Sequence, residues 1–316
     1  MLERLLEKSN LLAFSAGIDS TALFFKMLKK GIEFDIAIVD YGIREQSSEE
    51  VAYAKELALS HDKKIFIKKV ELSESNFEAN ARKARYDFFE QIIKENSYEN
   101  LITAHQLDDR LEWFFMQLGR GAGLVELMGF SEVSQRDGYN LVRPLLSTTK
   151  EELLTYLHDN DIKYFIDKSN TDPKYKRNHI REKYTKEFLQ EFKDGILKSF
   201  NYLENDSKEL FKVEIVKKER KLTILKKQSS DLSNIRAIDK EVKKLGLLLS
   251  KSSKDEILRQ RDIILSDKVV VSFTDELIYI CPYVKVTMDK KFKEKCRKDK
   301  IPSKVRGYMF KKQLSL

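Results

Sequence analysis

The chain has 316 residues, 41% apolar and 35% charged, which fits a globular protein of about two domains and excludes a disordered or fibrous chain. No apolar run reaches the ~18 residues of a membrane span, no signal peptide is recognisable, and two isolated cysteines, Cys281 and Cys296, offer neither a disulfide framework nor a zinc knuckle. The expectation is a cytoplasmic protein with no membrane partner. Its net charge of +8 is unevenly spread: residues 211–316 hold 28 Lys and Arg against 14 Asp and Glu, whereas residues 1–210 hold 31 against 37.

Along the first half, short β-rich runs at Leu11–Phe14, Phe34–Val39, Ile65–Glu71 and Leu101–His105 alternate with amphipathic stretches at Thr21–Lys29, Ser48–Ser60 and Phe77–Asn96. This alternation predicts an α/β fold, a doubly wound, mainly parallel sheet of Rossmann-like type with helices on both faces. Ligands of such sheets bind beyond the carboxyl ends of the strands. Ser15, Asp40 and His105 fall at such ends, so they are expected around one crevice.

The first of these ends is the turn Ser15-Ala16-Gly17-Ile18-Asp19-Ser20. A small-residue turn between a buried strand and a helix aims backbone N–H groups at the helix start, a position that favours phosphate. No Gly-Lys-Ser/Thr ending follows, so the turn is not a Walker A loop. The third strand end leads into Ala104-His105-Gln106-Leu107-Asp108-Asp109-Arg110-Leu111-Glu112, and then Arg120-Gly121-Ala122-Gly123-Leu124. A helix beginning at Asp108 gathers Asp108, Asp109 and Glu112 on its first turn and a half. The helix dipole alone would explain an acidic pair. Three acids beside a nucleotide turn can also bind Mg²⁺ or receive a cationic substrate. His105 has no His or Cys partner at the spacing zinc needs.

Helical patterns resume at Thr149–Asn160 and Lys186–Phe211, and a domain boundary is expected near residue 213, dividing the chain into 1–212 and 213–316. The second part reads as a smaller basic α+β domain: helices near Ile235–Leu249 and Asp255–Leu265, and a hairpin of Val269–Phe273 with Leu277–Cys281. Within it, Lys285–Lys312 carries twelve Lys and Arg against three acids, with Phe292, Tyr308 and Phe310 interleaved. Such a stretch either neutralises phosphates of a nucleic acid or is a solvated lysine-rich surface.

Several segments together resemble one family. Ser15–Ser20 resembles the PP-loop, Ser-Gly-Gly-x-Asp-Ser, of ATP pyrophosphatases, with Ala16 where Gly is usual. His105-x-x-Asp108-Asp109-x-x-Glu112 with Arg120-Gly121-x-Gly123-Leu124 resembles the signature of the tRNA(Ile)-lysidine synthetase family. Trp113 stands where a small polar residue is usual. Also similar to that family are Asp40–Arg44, with Tyr41 for the usual His, Glu78–Tyr86, Arg143-Pro144-Leu145-Leu146, Asp167–Asp172 with Tyr175, Arg177, Asn178, Ile180 and Arg181, and Lys300–Arg306.

The resemblance implies ATP-dependent attachment of L-lysine to the wobble cytidine of a tRNA(Ile) with a CAU anticodon, through an adenylated RNA. It implies ATP at Ser15, Ala16, Gly17, Ile18, Asp19, Ser20 and His105, with Mg²⁺ at Asp19. It implies catalytic roles for Asp19, Asp108, Asp109 and Glu112, with lysine at Asp109 and Glu112. Arg82, Arg85, Arg177 and Arg181 are expected at tRNA phosphates, against the alternative of a solvated helix face. A tRNA thiolase with the same loop would need cysteines in the catalytic domain, and none precedes Cys281. A non-catalytic RNA-binding protein with a degenerate loop is the further alternative.

Overall fold

Strands β1 (Asn10–Ala13), β2 (Asp35–Asp40), β3 (Ile65–Lys69), β4 (Asn100–Ile102), β5 (Val133–Gln135) and β6 (Asn140–Val142) form one sheet in the order β3-β2-β1-β4-β6-β5. All neighbours are parallel except the edge pair β5 and β6. The computed structural model describes residues 1–42, 46–70, 77–166, 176–210 and 212–314, in two compact units, Met1–Leu203 and Glu204–Leu316. Of the segments singled out above, Ile43, Arg44, Glu71, Asp167–Tyr175 and Phe211 lie outside the described residues.

The central strand explains why its run is apolar without alternation. Leu12 faces a core built with helices α1 (Ile18–Lys29), α2 (Gln46–Ser60) and, further along the chain, residues Leu153 and Leu157. Leu11 faces the opposite core, shared with α3 (Phe77–Asn96). Both leucines are fully buried, as a doubly covered parallel strand requires. The crossovers place α3 and α1 on opposite faces, which is the doubly wound arrangement expected from the sequence.

Three neighbouring strands then deliver the candidate site. After β1 comes the turn opening α1; after β4 comes α4 (Leu107–Leu118), followed by the short α5 (Leu124–Leu127); after β6 comes α6 (Lys150–Asp159). Strand β4 stops at Ile102, short of the expected His105; Gln106, which keeps an isolated bridge to Leu145, caps α4. Its side chain accepts from the Asp108 and Asp109 amides, and Asp109 Oδ2 accepts from the Gln106 amide at 3.2 Å. Thr149 and Glu152 cap α6 in the same reciprocal way. The unit continues with α7 (Lys176–Ile180), a π-helical turn at Arg181–Thr185 and the long α8 (Lys186–Leu210), whose Leu189, Ile196 and Phe200 pack on Leu107 and Leu111 of α4.

The second unit holds β7 (Ile215–Glu219), β8 (Leu222–Lys226), α9 (Asp231–Lys244), α10 (Lys251–Gln260), β9 (Asp262–Leu265), β10 (Val269–Phe273), β11 (Leu277–Pro282), α11 (Lys290–Lys298) and α12 (Ser303–Lys312). Its antiparallel sheet runs β7-β8-β11-β10-β9. Residues such as Ile278 and Ile280 face α9 and α10, and Tyr279 and Cys281 face α11 and α12. The expected hairpin is β10 with β11. The expected helix over Asp255–Leu265 is corrected: it ends at Gln260, where Arg261 adopts φ +59, and Asp262–Leu265 joins the sheet beside β10. Local pattern favoured helix; pairing with Val269–Ser272 prevailed. Close packing of α12 also depends on Gly307, where a Cβ would stand 2.1 Å from the Val284 carbonyl oxygen.

Candidate active site

The turn after β1 is held by its own hydroxyls. Ser20 Oγ accepts from the Ser15 amide at 3.2 Å, lies 3.1 Å from Ser15 Oγ and donates to the Gly17 carbonyl at 3.3 Å. Gly17 is the N-cap of α1 and receives no side-chain cap, so the helix start keeps amides available to an anion. Ala16 is fully buried at φ +56, the left-handed region, and its carbonyl accepts from the Phe165 amide at 2.9 Å. The usual glycine thus has a conformational reason, and the alanine methyl is accommodated by the core beneath.

Asp19 opens α1 with Oδ1 buried and without a hydrogen-bond partner. Burial first, and then the Asp109 carboxylate, push its carboxyl up to about 7; Lys150 acts in the opposite sense. An orphaned carboxylate oxygen at a phosphate-binding turn suits a hard cation such as Mg²⁺, which takes few protein carboxylates and completes its shell with phosphate and water. Among the described residues no group of three or more His, Cys, Asp or Glu forms a self-sufficient metal cage.

The three acids of α4 diverge. Asp108 Oδ2 accepts from the Lys150 amide at 3.0 Å, and burial raises its pKa. Asp109 uses Oδ2 for the helix cap and Oδ1 for Arg177. Glu112 is fully buried: Arg177 Nε lies 2.6 Å from its Oε2, Arg181 Nε 2.5 Å from its Oε1 and Arg181 Nη2 3.1 Å from Oε2. A buried carboxylate needs such partners. The structure therefore brings Asp19, Asp108 and Asp109 into one electrostatic neighbourhood, with Glu112 turned into an arginine clamp. Arg177 and Arg181, expected at RNA phosphates, are placed against these carboxylates, with side chains 41% and 19% exposed.

His105 donates to or accepts from Thr103 Oγ1 at 3.0 Å and rests on Phe130, whose ring centre is 5.2 Å away. Burial, then the positive charges of Arg143, Arg82, Arg177 and Arg85, hold its imidazole down to about 3. It is a neutral ring at physiological pH, fit for stacking or a hydrogen bond. Arg82 lies over the Tyr86 ring on α3, 4.8 Å from its centre. Tyr41 donates to the Ala81 carbonyl at 3.1 Å, and the Arg85 charge partly offsets the rise in Tyr41 pKa that burial causes. Trp113 fills the space beside Gly129 so closely that a Cβ there would meet its Nε1 at 2.3 Å. The same Nε1 donates to the Glu126 carbonyl at 2.8 Å, and the indole meets Phe130 edge to face.

Sequence reasoning missed Lys150, and it gave Arg143, named only within the Arg143–Leu146 match, no role. A lysine at the first position of a helix opposes the dipole, and that local conflict was the available signal. Arg143 is buried under Phe130, donates to the Ser131 carbonyl at 2.9 Å and is the foremost of the positive charges acting on His105.

Residues 1–188 match the family profile described as a PP-loop domain, so the unit built on this sheet is a PP-loop domain, a class that uses ATP. A solved U34-tRNA thiolase from Methanococcus maripaludis with its [4Fe-4S] cluster shares the fold, at TM-score 0.52 and 16% identity over 63% of this chain and 72% of that one. Over the full length the similarity narrows. The tRNA(Ile)-lysidine synthase of Campylobacter jejuni (strain RM1221) is 42% identical over 317 residues, covering 100% of this chain and 97% of its own. That of Helicobacter pylori (strain ATCC 700392 / 26695) is 41% identical over 312 residues, 98% of this chain and 91% of its own. The chain belongs to the tRNA(Ile)-lysidine synthase family.

Proposed function

We propose that this enzyme joins L-lysine to the wobble cytidine of a tRNA(Ile) carrying a CAU anticodon, in the cytoplasm, by way of an adenylated RNA intermediate with loss of pyrophosphate and then AMP. The observation that carries the reading is the convergence of the PP-loop turn, with the orphaned Asp19 oxygen, on the acids of α4 at neighbouring strand ends. In the first half-reaction the cytidine carbonyl oxygen attacks the ATP α-phosphorus and pyrophosphate departs. The free amides at the start of α1, with Ser15 and Ser20, bind the departing phosphates as charge develops on them. Asp19 would hold Mg²⁺, whose chemistry there is neutralisation of phosphate charge. His105, neutral and resting on Phe130, contacts the nucleotide in this reading without adding charge.

In the second half-reaction the lysine ε-amine displaces AMP. An ammonium with an ordinary pKa of about 10.4 is not nucleophilic at neutral pH. Asp109 and Glu112 receive the cation, and Asp108 or Asp109 accepts the proton before attack. Arg82 and Arg85 on α3, together with the basic α11, are proposed to contact tRNA phosphates. The test is pyrophosphate release and nucleoside analysis with purified protein, ATP and tRNA(Ile). RNA adenylation without lysine, converted to lysidine when lysine is added, is the expected result. Sulfur incorporation, or RNA binding with no turnover, would replace it with the thiolase or the non-catalytic reading.

A further inference from the structure

Arg177 spans the two carboxylates that the proposed function assigns to the lysine ammonium. Its Nη2 meets Asp109 Oδ1 while its Nε lies 2.6 Å from Glu112 Oε2. One turn further on, Arg181 holds Glu112 from the interior, with a side chain half as exposed. The two arginines therefore differ in position: Arg181 is the inner counter-ion, and Arg177 is the outer cation of the clamp. A guanidinium bridging two carboxylates occupies the place and satisfies the charge that an alkylammonium would need there.

We infer that Arg177 is a resident competitor for the amine subsite: lysine binds Asp109 and Glu112 by displacing the Arg177 guanidinium, so this side chain sets the affinity and selectivity for the cationic co-substrate. The inference rests on the proposed function for the identity of the amine. Its physical basis is separate: Arg177 holds Asp109 Oδ1 and Glu112 Oε2, the oxygens an ammonium would take, and a third cation beside Arg177 and Arg181 would add like-charge repulsion in a partly buried site. With both arginines in place Glu112 has no exposed surface and the Asp109 side chain is only 13% exposed, so the two carboxylates are largely covered. A subsite that is open one time in ten weakens apparent affinity about tenfold. Weakly cationic or poorly fitting amines lose that competition.

The test compares wild type with Arg177→Gln and Arg177→Lys in the full chain. Arg177→Gln should lower KM for lysine about tenfold, and Arg177→Lys, which keeps a cation but loses the planar fork, should give an intermediate value. A KM that is unchanged or raised in Arg177→Gln overturns the inference; a raised value would mean that Arg177 binds the substrate itself. A second measurement needs no variant. Phenylglyoxal modification of Arg177 in the wild-type chain, read by peptide mass mapping, should accelerate when lysine is added, with Arg181 as internal reference. Slowed or unchanged modification counts against displacement. Pyrophosphate release with ATP and tRNA but no lysine, run on the same wild-type preparation, separates the two layers. Its absence defeats the proposed function, whereas its presence with an unimproved KM defeats only the competition.

Discussion

Replacing Asp19 by Asn should abolish adenylation and, against the usual sign for a site residue, stabilise the protein without ligand. The wild-type carboxyl is pushed from 3.8 to about 7 by burial and by Asp109, and its Oδ1 has no hydrogen-bond donor. At about 1.4 kcal/mol per pH unit that gap corresponds to about 4 kcal/mol, which partial solvent contact reduces to about 2. In a domain of this size the expected rise in melting temperature is about 4–8 °C. The sign follows from proton linkage. A carboxyl whose pKa is raised in the folded state costs nothing below its unfolded pKa near 4, and its full cost is present above about 7. The stabilisation of Asp19→Asn should therefore vanish near pH 4 and be complete by pH 8. Scanning fluorimetry across that range, with pyrophosphate release measured at pH 7.5, checks both halves. Removing one transition-state interaction of this kind costs about a hundredfold or more in rate. A variant that melts lower at pH 8 and still turns over normally would refute both the orphaned-oxygen argument and the metal role.

Glu112→Gln removes the buried counter-ion of two guanidinium groups, for about 3 kcal/mol and a fall of about 6–12 °C in melting temperature, well beyond the effect of Asp109→Asn. Equal melting temperatures for the two variants would contradict the clamp. Ala16→Gly relieves a left-handed alanine worth about 1–2 kcal/mol but removes a buried methyl worth about 0.8 and adds unfolded-state freedom. It should melt close to wild type with no rise in KM for ATP; a large drop in either stability or ATP affinity would show that the methyl does more than fill space. Reversing the exposed Lys291, Lys295 and Lys298 of α11 to Glu should flatten the dependence of log K for tRNA on log salt by about 0.7–0.9 for each phosphate that the helix no longer neutralises. ATP affinity should be unaffected, and an unchanged slope would return this surface to a solvated role.

What the sequence discloses divides by the range of the interaction that decides it. The parallel sheet was readable because β1, β2 and β3 are short apolar runs set between long amphipathic helices. The PP-loop turn and the acids of α4 are contiguous motifs, so residue type and spacing were enough to find them. The roles of those acids were not readable, because Glu112 is decided by Arg177 and Arg181, which stand 65 and 69 residues away. Before that pairing is known, Glu112 on a helix face beside Asp109 looks like another ligand for solute. Strand β9 was hidden for the same reason: Asp262–Leu265 continues an apolar helical pattern, and only its partner β10 makes it a strand. Strands β5 and β6, three residues each, carry too little periodicity to be distinguished from loop.

The indole of Trp113 lying against Gly129 bears on the order in which this site can change. With the indole where it stands, a side chain at 129 would force it to shift, so the two positions are coupled. A side chain at 129 should be tolerated best beside a smaller residue at 113, and the double substitution should cost less than the sum of the two single ones. Through Phe130, which the indole meets edge to face and on which His105 rests, that coupling reaches the candidate site. Substituting either position in a background that lacks the other's partner would then misstate how tolerant this part of the enzyme is.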